Sequence, residues 1–293
     1  MYEKILFPFD GSDGAAEVLH HAGELAHWAD GSIRLLYVAD TNEASVTRVG
    51  GEVVDGLIER GEEILTEGGG ALDTLEVQYT TDVVQGTPAE TIVEYGDEHD
   101  FDVIVMPTQG RSGLSRYLLG SVTEKVVRLS ETPVLTARMA SDEKFVVPFD
   151  RLLVPTDGSE AAESAAKHAF DLATAMDAEI HALSVIDTGA FGSDARTEQL
   201  ASAGEQHARE AVETIENAAQ KEGMGAVTSH VETGSPAAEI RDVVEREGID
   251  AVVMGTTGRQ GVERILLGSV AEKAVRSVPV PVITVRNGPR ALL

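Results

Sequence analysis

The chain repeats itself. IVMPTQGRSGLSRYLLGSV, at Ile104 to Val122, returns as VVMGTTGRQGVERILLGSV at Val252 to Val270. Asp10 and Asp157 lie 147 positions apart, as do Val38 and Val185, whereas Gly110 with Gly258 and Gly120 with Gly268 lie 148 apart. One inserted residue therefore separates two otherwise registered halves. A period this long implies two copies of a domain, not a solenoid of short repeats. The halves meet around MASDEKFVVPFD, and the sequence predicts a first domain over 1–140, a tether at 141–148 and a second domain over 149–293.

Within each half, apolar strand patterns alternate with helical ones. In the second copy RLLVPT reads as strand, SEAAESAAKHAFDLATAM as helix and IHALSVID as strand. A long helix is predicted from about Thr197 to Lys221, and AVTSHVE is strand again. SPAAEIRDVVEREG, IDAVVMGT, SVAEKAVRS and PVPVITVR continue the alternation. Near-continuous apolar strands joined through helices pair in parallel, with the helices covering both faces. The predicted class is α/β, five parallel strands per half.

Ligands of such sheets bind beyond the carboxyl ends of the strands, where the winding direction reverses. Three pieces of each half meet there: the first-strand exits PFDGS (Pro8 to Ser12) and PTDGS (Pro155 to Ser159), the second-strand exits at Val38 to Asp40 and Val185 to Asp187, and the loop after the fourth strand. In the second copy that loop holds Gly255 and Gly258, then Gly268 and Ser269 where a helix opens. Glycines let backbone amides approach a ligand, and a helix amino terminus attracts phosphate. SVTE (Ser121 to Glu124) and SVAE (Ser269 to Glu272) read equally well as capping boxes, in which serine caps the helix and glutamate reaches back.

The joint pattern Gly-x2-Gly-x9-Gly-Ser after the fourth strand, with aspartate after the first, resembles the ATP-binding branch of the universal stress protein family, here in tandem. The resemblance spans nearly the whole chain. It implies two Rossmann-like domains of the adenine nucleotide α-hydrolase type, with ATP, accompanied by Mg²⁺, in the crevice. It implies Asp157 and Val185 near adenine and ribose, Gly255, Gly258, Gly268, Ser269 and Val270 around ribose and phosphates, and Thr156 and Met254 flanking them. It also implies pairing through the terminal strands, PVLTAR and PVITVR, either between the two halves as an intramolecular pseudo-dimer or between chains as a homodimer.

The first copy keeps Asp10, Val38, Met106, Gly110, Gly120 and Ser121 but has Pro107 where the second has Gly255, and Phe9 where the second has Thr156. Proline removes an amide donor and fixes φ near −65°. The first site is thus expected to be the weaker, because it cannot make a contact that Gly255 makes through its N–H or a positive φ.

Other classes are excluded or disfavoured by what is missing. No G-x-x-x-x-G-K-[ST] occurs, and no G-x-G-x-x-G follows the first strand. There is no cysteine, and no apolar run approaches the roughly 20 residues needed to span a bilayer. The opening MYEKILFPFD lacks a secretion signal, so a cytoplasmic location is expected. A net charge of −27 disfavours nucleic acid and anionic membrane as partners and suggests a surface adapted to a salty interior. His20, Glu24 and His27 share a helix face at metal-ligand spacing, yet read more simply as an exposed polar face, and no metal ligand set is assigned. No general base or dedicated carboxylate pair accompanies the glycine loop, so no catalytic residue is assigned and at most slow ATP hydrolysis is expected. The competing expectation is a stress-related interaction module whose nucleotide site is incidental or lost.

Overall fold

The structure is a computed structural model that describes residues 1–41, 46–49, 52–108, 119–138, 144–187, 197–257 and 267–286. The chain divides into two compact units, Met1–Ser141 and Asp142–Leu293. Unit 1 runs β1 (Lys4–Pro8), α1 (Asp13–Trp28), β2 (Ser32–Asp40), β3 (Val46–Val49), β4 (Glu52–Asp55), α2 (Gly56–Asp73), β5 (Gln78–Gly86), α3 (Pro88–Glu98), β6 (Val103–Pro107), α4 (Ser121–Leu129) and β7 (Val134–Ala137). Unit 2 runs β8 (Arg151–Pro155), α5 (Glu160–Met176), β9 (Glu179–Asp187), α6 (Thr197–Lys221), β10 (Thr228–Gly234), α7 (Pro236–Glu247), β11 (Ala251–Gly255), α8 (Ser269–Ser277) and β12 (Val282–Val285).

Each unit builds the expected five-stranded parallel sheet. In unit 1 the spatial order is β7-β6-β1-β2-β5, and in unit 2 it is β12-β11-β8-β9-β10. The chain winds one way from the central strand, then returns to its other side. Across that reversal the ladders are short: β1 and β6 register only at Ile5↔Val103 and Leu6↔Ile104, and β8 and β11 only at Ala251↔Leu152 and Val252↔Leu153. Beyond those pairs the strands part toward their carboxyl ends, which opens a crevice in each unit.

The local sequence explains the elements that frame the crevice. α1 and α5 start where Ser12 and Ser159, in extended conformation, accept the amides of Ala15 and Ala162. Val18, Leu19, Ala22, Leu25 and Ala26 are buried along one stripe of α1 at helical spacing. Each fully buried Leu or Val there contributes about 1.5–3 kcal/mol. The buried face of α5 is mostly alanine, Ala161, Ala162, Ala165, Ala166, Ala169 and Ala173, so this helix comes close to the sheet. Unit 1 differs from the five-strand expectation by a β3–β4 antiparallel ribbon. Its sequence, VTRVGGEVVD, sets two β-prone segments about a Gly-Gly pair, a hairpin signal overlooked when only parallel strands are sought.

Candidate functional site

The crevice of unit 2 is floored by the exit of β8. There PTDGS folds as a unit: the Asp157 carboxylate accepts the Ser159 amide at 3.0 Å, Gly158 adopts φ +72°, and Ser159 caps α5. The Thr156 hydroxyl accepts the Gly158 amide at 3.1 Å. The aspartate-glycine-serine run is therefore first a turn that aims the start of α5, with one carboxylate oxygen of Asp157 committed to it. Val185, half-buried near the end of β9, lines the neighbouring strand exit. From α6, His207 Nε2 lies 3.1 Å from the Asp157 carbonyl oxygen.

The opposite wall comes from β11 and α8. Met254 is buried and Gly255 closes the strand. The Val252 and Thr256 amides donate to Pro281 and Val285 on the β12 side. Alternation turns the Gly255 amide the other way, toward the edge where β8 has already parted from β11. Gly255 does not have a positive φ. Its missing side chain serves packing instead, because a Cβ there would meet the Ala161 backbone at 2.8 Å.

The capping-box reading of SVTE and SVAE is corrected by this geometry. Gly120 and Gly268, extended at φ −62°, are the cap residues of α4 and α8, and no side chain caps either helix. The helices start one residue earlier than the motif assumes, because the Gly120 and Gly268 carbonyls already accept from Glu124 and Glu272. Glu272 pairs with Arg276 at 2.6 Å. Ser121 and Ser269 thus occupy first helical positions, exposed, and at α8 the amides of Ser269, Val270 and Ala271 belong to the first turn, whose N–H groups point out of the helix end. The Gly268 amide itself is taken by the Thr256 carbonyl at 2.8 Å.

In front of that helix end lies a cleft of about 360 Å³ lined by Asp187, Ser235, Pro236, Ala237, Ser269, Val270 and Lys273. Two helix amino termini, of α7 and α8, open onto it, and the α7 cap, Ser235, likewise makes no side-chain capping bond. Lys273 lies one turn beyond Ser269, so an ammonium joins two positive dipole ends at one place. Such a cleft suits a phosphate-bearing ligand, and Asp187 at its edge suits a cation carried with the phosphates.

A model of the universal stress protein family matches residues 1–138 and again residues 148–286. The chain belongs to the universal stress protein family. It carries the family domain twice. A universal stress protein of Methanocaldococcus jannaschii is 37% identical over 146 residues, spanning 49% of this chain and 86% of its own length. One of Methanothermobacter thermautotrophicus is 37% identical over 143 residues, 47% of this chain and 97% of its own length. The crystal structure of a universal stress protein from Archaeoglobus fulgidus resembles the whole tandem, with TM-score 0.73, 25% identity and coverage of 98% of this chain and 100% of that one.

The first universal stress protein domain keeps the cleft chemistry position by position. Asp40, Thr87, Pro88, Ala89, Ser121, Val122 and Lys125 correspond to the seven lining residues of the second. Asp10 repeats the aspartate turn, its carboxylate accepting from the Ser12 amide at 3.0 Å, and Val38 is half-buried at the β2 exit. Met106 is buried like Met254, and Gly120 donates to the Thr108 carbonyl at 2.7 Å. The differences are Phe9, whose ring is buried against Gly68 of α2, and Pro107, whose carbonyl accepts from Thr123 at 2.9 Å.

Of the residues expected at the site, Gly110 and Gly258 lie outside the described residues, as do Arg111 and Arg259. Asp157, Val185, Gly255, Gly268, Ser269 and Val270 lie at the strand exits or the α8 start. Sequence reasoning missed Ser235, Ala237, Lys273 and His207. Lys273 had a signal, its i+4 spacing from Ser269; His207, alone on an acidic helix, had none. His20 and Glu24 are exposed on α1, 3.7 Å apart, as an i,i+4 pair. Among the described residues no helix is long and apolar enough to cross a membrane.

Proposed function

We propose that the second domain binds ATP with Mg²⁺ and that the protein is a nucleotide-dependent module of the stress response, the second domain being the better site. The observation that carries this reading is the convergence of the α7 and α8 amino termini and Lys273 on one cleft. In a chain of net charge −27, an anionic ligand needs such a local concentration of donors. The first-turn amides of α8 and the Ser269 hydroxyl would hold phosphate oxygens. Lys273 would neutralise part of their charge. Asp187 would repel a bare triphosphate, so Mg²⁺ between carboxylate and phosphates completes the arrangement. Asp157 and Val185 would face adenine and ribose. Family membership supports the stress-response role.

The preference for the second domain rests on Gly255. Its amide is turned toward the parted strands, whereas Pro107 offers none. The test is calorimetric titration of the full chain with ATP and Mg²⁺ in high salt. One site per chain, abolished by Lys273→Ala and untouched by Lys125→Ala, is the expected result. Two equal sites would remove the asymmetry. No binding would leave an interaction module as the working description.

A further inference from the structure

We infer that the second domain carries a transition-metal site of the zinc class, formed by His181, His230 and Glu247 and separate from the nucleotide cleft. The three side chains come from β9, β10 and the last residue of α7. Their ligand atoms lie within 4.8 Å of one another. In the strand register His181 faces Thr228 and Leu183 faces His230, so the two histidines stand two residues apart on one face of the sheet. α7 covers that face and ends there. His181 is early in β9, whereas Asp187 of the cleft closes the same strand.

The donor set suits a metal. His181 Nδ1 and His230 Nε2 are 3.0 Å apart, with the rings nearly parallel at 10°. The rings are nearly coplanar and their nitrogens point at one another across centroids 5.3 Å apart, as in an N–H···N hydrogen bond, so zinc at about 2.0–2.1 Å from each nitrogen would replace that bond and the rings would turn to converge on it. Two histidines and a glutamate, with a fourth position left to water, form a recurrent zinc set. Glu247 has an outer partner, since Arg246 Nε donates to its Oε1 at 2.9 Å while Arg246 Nη2 holds Glu232 at 2.6 Å. Such hydrogen bonds to a ligating carboxylate fix its orientation.

The first domain supplies the contrast. At the positions of His181, His230 and Glu247 it has Arg34, Asp82 and His99. There the Arg34 guanidinium pairs directly with Asp82, the Tyr95 hydroxyl bonds to both, and His99 stacks on Tyr95 at 4.2 Å. The cation at that node is covalent. In the second domain the guanidinium is replaced by imidazole, and Val243 takes the place of Tyr95. What remains is a carboxylate beside two imidazole nitrogens within hydrogen-bond distance of one another, a donor set that a divalent ion could draw together.

The experiment uses the full chain, stripped with chelator and titrated with Co²⁺ in excess Mg²⁺ to occupy the acidic surface. The expected result is a visible tetrahedral-type absorption that saturates at one Co²⁺ per chain and is displaced by Zn²⁺. It should disappear in His230→Gln, weaken at least about tenfold in Glu247→Gln, and persist in Lys273→Ala. A non-saturating, water-like Co²⁺ spectrum would overturn the proposal, as would an unchanged spectrum in both ligand variants. Imidazole NMR of the unaltered protein gives a reading independent of variant folding. Zn²⁺ must shift the His181 and His230 ring signals together, and unmoved signals would mean that the pair only shares a hydrogen bond.

Discussion

Gly255 and Ala161 touch so closely that a Cβ on the glycine would lie 2.8 Å from the carbonyl carbon and oxygen of Ala161 and 2.9 Å from its Cβ. The first domain has the small residue on the other side of the corresponding position: Pro107 replaces Gly255, and Gly14, buried on α1, replaces Ala161. Thr123, which donates to the Pro107 carbonyl, stands where α8 has Ala271. The exchange of glycine for proline in the strand is thus matched by an exchange of alanine for glycine in the helix. Gly255→Ala should destabilise the second domain by about 1–3 kcal/mol, as overpacking does. Adding Ala161→Gly should recover part of that loss, and a double-mutant cycle in urea would measure the coupling.

The same contact makes the first site adjustable. Ile104 and Thr108 donate their amides toward β7, so position 107 faces the parted edge beside β1. Pro107→Gly with Gly14→Ala would restore an amide there and keep the contact filled. ATP affinity of the first domain, measured in a Lys273→Ala background, should rise about tenfold, the worth of one hydrogen bond to a charged group. Unchanged binding would remove Pro107 from any account of the asymmetry.

The two kinds of serine separate capping from ligand contact. Ser159→Ala removes a real cap and should cost about 1 kcal/mol of stability. Ser269→Ala removes no capping bond and should leave stability within about 0.5 kcal/mol while lowering nucleotide affinity. Paired denaturation and calorimetry on both variants would show the crossover.

Acid should unfold the second domain through His168. Burial on α5 pushes its imidazole down to about 4, against an ordinary value of about 6.5. Between these values the unfolded chain binds the extra proton, so stability is fully present above about pH 6.5 and falls as pH drops toward 4. The expected loss is about 2–3 kcal/mol, read from urea midpoints across that range with chelator present, and His168→Gln should flatten the dependence.

Salt should stabilise the protein. Raising ionic strength from about 0.1 M to about 1 M shortens the screening length from about 10 Å to about 3 Å. With 50 acidic against 23 basic residues, repulsion outweighs attraction among the charges that salt screens. A melting temperature that rises through this range is expected; one that falls would show that exposed pairs such as Arg209–Glu205 matter more.

How far the sequence led depended on whether a feature was periodic or spatial. Strand and helix alternation, the duplication and the Thr197–Lys221 helix are periodic, and all were legible. The capping box was misjudged by one residue, because four letters do not say whether glycine or serine takes the extended position. Lys273, Ser235 and Ala237 look like ordinary helix-start residues until α7 and α8 are seen to open onto one cleft. His181, His230 and Glu247 are scattered in sequence and meet only through the β9–β10 register and the end of α7.

The hydrogen bond from the Gly268 amide to the Thr256 carbonyl, like that from Gly120 to Thr108, works as a clasp. It joins the end of one strand to the start of the next helix whatever chain lies between. Segments of different length or composition can therefore be exchanged at that point without displacing the helix dipole. Each domain thus offers a natural socket for grafting, in which the joining segment can be rewritten while the helix start stays put.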